Sequence, residues 1–219
     1  MPAPTTPSEP RLPASLELLP AGDPGLREPH QLAGVELHGA SWAGIDASRL
    51  RVDEARLWDC DLSGASLADP ELTDVMLDEP NLANAVIRGG SLRRVLVSGG
   101  RLTGAQWAET HIRDTVWRNV TADLSAFRLS ELVRVTFDSC NLREADFTGA
   151  RCSWVRFHDC DLTGAMFSNA RFANCELRRC RLEAVEGVAG LAGTSMEFDA
   201  VLGIAQQLAE ALGIHLLDD

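Results

Sequence analysis

No lysine and no tyrosine occur among the 219 residues, so all 20 basic residues are arginine and the 12 aromatics are five Trp and seven Phe. No function follows from that bias alone. Positive charge is itself scarce, because 32 acids against 20 Arg leave a formal net charge of −12. A general nucleic-acid-binding surface needs a basic excess to neutralise phosphates, and the chain lacks one overall. Long apolar runs are missing as well: none approaches the ~18 residues that a membrane span requires, so no membrane association is expected. Met1–Pro10 has no positive stretch leading into an apolar one, and the cytoplasm is expected rather than secretion. At 45% hydrophobic the chain is too apolar to be disordered throughout, and its length suits one long domain or two small ones.

What is present is a period of five. Stepping by five from Leu32 to Leu182 meets 31 positions, and every one is apolar. At this composition the chance of that is on the order of 10^-11, so the spacing is a structural rule. Two residues before each lies a second restricted position, from His30 to Cys180, which is Ala, Gly, Ser, Thr, Cys, Val or Pro in all cases but His30, Ile45 and Leu50. The residue between them is mostly polar, as in Cys60-Asp61-Leu62, Pro80-Asn81-Leu82 and Ala145-Asp146-Phe147. Small, polar, large reads as inward, outward, inward. Five matches neither the helical period of 3.6 nor the strand period of 2, so the chain has to turn after each pentad, as in a solenoid with the large residue on its axis. Glycines at the fourth pentad position, among them Gly34, Gly64, Gly104 and Gly164, suit such turns.

These motifs resemble those of the pentapeptide-repeat proteins, over about residues 30–185. The resemblance implies an all-β fold: a right-handed quadrilateral β-helix with four pentads per coil, nearly eight coils for 31 pentads, to which the residues after Val185 add a capping α-helix at the C-terminus. Residues 20 apart then stack, and the sequence supports this: Leu67, Ile87, Trp107, Phe127, Phe147 and Phe167 share one column, Trp117, Phe137 and Phe157 another. Nine of the 12 aromatics occupy the large inward position and are expected in the core.

A solenoid needs both ends covered. Eight of the ten prolines lie within residues 1–29, which read as a Pro-rich N-terminal tail and cap: 1–10 disordered, 11–29 a lead-in over the first coil. After Val185 the rule of five stops, and 186–219 form the C-terminal segment. Thr194-Ser195-Met196-Glu197 has the form of a capping box, followed at helical spacing by Phe198, Val201, Leu202, Ala205, Leu208 and Leu212. These residues, with Leu216, are expected either to seal the rod or to bind a second chain. The resemblance implies a homodimer through this end; capping alone also explains the apolar stripe.

Chemistry is poorly represented. Cys60, Cys140, Cys160 and Cys180 share the small inward position at multiples of 20, and sulfurs in a line about 4.8 Å apart do not surround a zinc ion. They are expected as buried structural thiols. His158 beside Asp159 and Cys160 looks like part of a nucleophilic site, but the register sends Cys160 inward and His158 outward. No nucleophile elbow and no phosphate-cradling loop occurs. Neither catalytic residues, nor a metal, nor a cofactor is expected.

Charge carries what remains. Residues 51–80 hold nine acids (Asp53, Glu54, Asp59, Asp61, Asp69, Glu71, Asp74, Asp78 and Glu79) against Arg51 and Arg56. Residues 81–120 invert this, with six Arg against Glu109 and Asp114, and 186–219 carry six acids and no basic residue. An acidic rod presents carboxylates where a DNA-binding protein expects phosphates. The resemblance extends to the fluoroquinolone-resistance proteins of the Qnr type, which engage DNA gyrase or topoisomerase IV and protect it from inhibitors, so it implies a topoisomerase partner, for which the charge pattern offers the nine acids as contact. A general protein-interaction scaffold, with no topoisomerase involved, is the other reading, and the Arg band as a nucleic-acid or acidic-ligand site is a third.

Overall fold

The computed structural model describes residues 6–19 and 31–216. They form a parallel β-solenoid of about eight turns in which each coil is 20 residues, as the strand register shows: Val52 pairs with Leu72, Leu72 with Leu92, Ile112 with Leu132. Four faces follow one another along the chain, beginning at residues 31–33, 36–38, 41–43 and 46–48 and recurring every 20 residues. Strands Arg51–Trp58, Glu71–Asp78, Ser91–Ser98, His111–Arg118 and Glu131–Asp138 each run across the first and second faces. The fourth face carries the short strands Ser66–Ala68, Val86–Arg88 and Gln106–Ala108.

The corner that makes this possible is the fourth pentad position. All 31 residues there, from Gly34 to Ala184, have positive φ; nine are glycine and 22 are not. Left-handed backbone strains an L-residue, most of all a β-branched one, and Val, Ile and Thr are absent from these sites. On the third face the corner closes as a turn, with the Ala65 N–H donating to the Leu62 carbonyl at 3.0 Å across Gly64 at φ 64, as in a type II turn. The polar residue of the pentad explains itself here: the Asp61, Asn81 and Asp161 side chains accept the N–H two residues on, from Ser63, Ala83 and Thr163.

The lumen is filled by the large inward residues. Phe127, Phe147 and Phe167 stack at centroid distances of 5.0 and 5.5 Å, and Phe137 and Phe157 at 5.0 Å in the neighbouring column. Edge-to-face contacts such as Phe147 on Phe157 at 5.6 Å lock the columns together. Towards the N-terminus the stack ends at Trp107, where Leu and Ile take over. An apolar cavity of about 40 Å³ opens there, lined by Trp42, Leu57, Leu67, Leu77, Ile87 and Trp107 among others.

Both ends depart from the sequence expectation. Residues 1–5 and 20–30 lie outside the described residues. Residues 6–10, expected as disordered tail, run along the rod instead: the Ser8 N–H donates to Asp114 and the Arg11 N–H to Asp74, at 3.3 and 2.8 Å. Those carboxylates are two coils, about 10 Å, apart, which three residues of extended chain span. Further on, Glu17–Leu18 pairs in parallel with Val35–Glu36.

At the other end the capping box does not form. Thr194–Met196 is a strand pairing in parallel with Cys175–Leu177, and the Thr194 hydroxyl donates to the Leu191 carbonyl rather than to a helix terminus. The helix is two short ones, α1 (Phe198–Gly203) and α2 (Ala205–Ala211), with Glu197 leading into α1 through no side-chain cap. Ile204, between them, is buried. Leu208 packs on the core, as Met196 does, and the 3-10 turn Val188–Leu191 buries Val188 and Leu191. Of the residues expected to seal or dimerise, Val201 is half-buried, while Phe198, Leu202, Leu212 and Leu216 are exposed. The stripe is therefore divided: one side closes the rod and the other faces solvent.

Candidate functional site

The nine acids of residues 51–80 do not share a face. One and a half coils carry them around the rod as a girdle: Asp53 and Glu71 on the first face, Asp78 on the second, Asp61 on the third, and Glu54, Asp59, Asp69, Asp74 and Glu79 at corners. The sequence places them together in one dimension, and a 20-residue coil spreads them over three faces. Asp59 and Glu79 are corner neighbours in successive coils, between the second and third faces, with Asp78 beside them; both corner residues are exposed.

Their environments differ. Asp74 is buried in a bidentate ion pair with Arg94, which holds its carboxyl below the usual range despite the opposing effect of burial. Hydrogen bonds from the backbone and hydroxyl of Ser63 lower Asp61. Burial pushes Asp78 up, with Arg56 opposing. Glu71 pairs with Arg51 at 3.3 Å. Asp53, Glu54, Asp59, Asp69 and Glu79 are exposed and make no salt bridge among the described residues, so they are the acids available to a partner.

One corner was missed in the sequence. The column Asp74, Arg94, Asp114, Arg134 alternates in sign at 20-residue spacing, and each Arg grips the Asp one coil before it. The N-terminal segment closes over the two carboxylates with the Ser8 and Arg11 N–H groups. The spacing alone could have revealed the pairs.

Five of the six thiols are buried; Cys180, expected inside with them, is half-buried in the last coil. Cys140, Cys160 and Cys180 donate to the carbonyls of Trp117, Phe137 and Phe157 in the preceding coil, at 3.3–3.4 Å. Burial pushes Cys60, Cys152 and Cys175 up, away from thiolate character. The Cys160 thiol donates to the His158 carbonyl, not to its imidazole, so the two side chains share no reaction centre.

Residues 110–186 match the family described as pentapeptide repeat region. That stretch is a pentapeptide-repeat region. Similar solved structures include HetL, a pentapeptide repeat protein involved in heterocyst differentiation regulation from the cyanobacterium Nostoc sp. strain PCC 7120. It is 16% identical, with 72% of this chain and 84% of that one covered and a TM-score of 0.44. Two trypsin-treated forms of QnrB1, a plasmid-mediated fluoroquinolone resistance protein, are 18% and 17% identical over 93% of this chain and 98% of theirs, with TM-scores of 0.36 and 0.40. No curated protein matches the chain.

Proposed function

We propose that this chain is a non-enzymatic binding rod of the cytoplasm that imitates duplex DNA towards a type II topoisomerase, DNA gyrase or topoisomerase IV, and so shields the enzyme from inhibitors. The observation that carries the reading is the set of free carboxylates on an unbroken rod. Nearly eight coils at about 4.8 Å make a shaft of about 37 Å. That matches about eleven base pairs; of the chain's net charge of −12 the coils of residues 30–185 hold −4, with 22 acids against 18 Arg, and the negative charge is concentrated in residues 51–80, with nine acids against two Arg. Asp59 and Glu79 along one edge, with Asp53, Glu54 and Asp69 on neighbouring ones, supply the negative potential; Asp74, sequestered by Arg94, is assigned to stability instead.

A gyrase supercoiling assay tests this. Inhibition at micromolar protein, weakened when Asp59, Asp69 and Glu79 are changed to Asn, Asn and Gln, is the expected result. No inhibition by the unmodified chain removes topoisomerase from the proposal and leaves a general protein-interaction scaffold, a reading favoured independently by the exposed arginines of the first face.

A further inference from the structure

Most arginines on the coils that have a carboxylate beside them pair with it, as in Arg51–Glu71, Arg118–Asp138 and Arg179–Asp159. From Arg93 onward the first face breaks this habit. Arg93 and Arg113 are register partners in adjacent coils, as are Arg151 and Arg171, and all four are exposed with no salt bridge among the described residues. Like charges stacked one coil apart repel each other, so the arrangement costs stability for as long as nothing neutralises it. The one acid on this stretch, Glu131, turns to His111 at 3.1 Å.

The geometry points to the first face, from Arg93 to Arg171, as a docking strip for an extended acidic segment of a protein partner. Four coils separate its ends, about 19 Å, which an extended chain of about six residues covers. The four guanidinium groups offer forked donors suited to carboxylates. Charge complementarity also limits the occupant's length. Asp53 and Glu71 lie on the same face just before the strip, Glu71 paired with Arg51 and Asp53 unpaired among the described residues. A duplex that continues past this end meets repulsion at Asp53, whereas a short acidic peptide does not. This inference does not depend on the topoisomerase reading, because it concerns different residues and the opposite charge.

Fluorescence anisotropy with a labelled octaglutamate peptide at low salt tests it. The unmodified chain binds the peptide, and Arg113→Glu with Arg151→Glu weakens binding about tenfold or more. Arg49→Glu with Arg88→Glu, equally exposed and unpaired but off this face, changes it by less than about twofold. A circular dichroism spectrum matching the parent shows that each variant is folded, and Arg113→Gln with Arg151→Gln replaces the first pair if it is not. No binding by the unmodified chain, equal losses in both pairs, or tighter binding of a 20-base-pair duplex overturns the proposal.

Discussion

Arg134 grips Asp114 with both arms of its fork, Nε to Oδ1 and Nη2 to Oδ2 at 2.6 Å each, although 20 residues separate them in the chain. Asp114 is nearly buried, so removing its partner strands a charge away from water. Arg134→Ala is expected to destabilise the rod by about 2–4 kcal/mol, below the range for a fully buried pair because Arg134 is partly exposed. Urea unfolding checks this.

The same column sets an acid limit. Arg94 and Arg134 hold the Asp74 and Asp114 carboxyls below their unfolded range, so their contribution is fully present above about pH 4. It is lost as the pH falls through the depressed folded values. Thermal melts at neutral pH and at about pH 3 should show a smaller acid-induced drop for Asp74→Asn with Asp114→Asn than for the parent, starting from a lower neutral melting temperature.

Core packing differs along the rod. Phe147→Ala removes a ring with neighbours stacked above and below and is expected to cost about 3–5 kcal/mol. Ile87→Phe, which carries the ring column one coil beyond Trp107 into the apolar cavity, should instead raise stability by about 0.5–2 kcal/mol. Differential scanning calorimetry of the two variants distinguishes a filled lumen from an underfilled one.

Gly90 and Gly100 stand directly over Pro70 and Pro80, and both have positive φ. A Cβ at either would run into the proline carbonyl oxygen below. Gly90→Ala and Gly100→Ala are each expected to cost about 1–3 kcal/mol, whereas Gly64→Ala, with open space around it, should cost only its backbone strain of about 1 kcal/mol. Chemical denaturation midpoints order the three.

The outward side of the C-terminal helices carries Phe198, Leu202 and Leu212 to solvent. If this end joins two copies, as proposed by resemblance, Phe198→Ser with Leu202→Ser shifts sedimentation from dimer to monomer without lowering the melting temperature, since the sealing residues Ile204 and Leu208 are untouched. A monomeric parent chain would refute the dimer.

The five-residue rule made the coils legible because each Leu or Phe at the large position must meet the lumen. It failed at the ends for a geometric reason. Glu17 pairs with Val35 and Thr194 with Cys175, offsets of 18 and 19 rather than 20, so both terminal strands extend the ladder out of phase with the test that found it. The acids from Asp53 to Glu79 looked like one surface because adjacency in sequence was read as adjacency in space, while the coil distributes neighbours and unites residues 20 apart. By that measure Arg93 with Arg113, and Asp74 with Arg94, were visible all along in the spacing.

The bond between Ser8 and Asp114 joins residues 106 positions apart. During synthesis the leading segment therefore leaves the ribosome long before the carboxylate that receives it exists. Glu17 can pair once the first coil exists and Arg11 can meet Asp74 at the third, whereas Ser8 has no partner until the fifth coil is made, so the segment can be fastened only in stages.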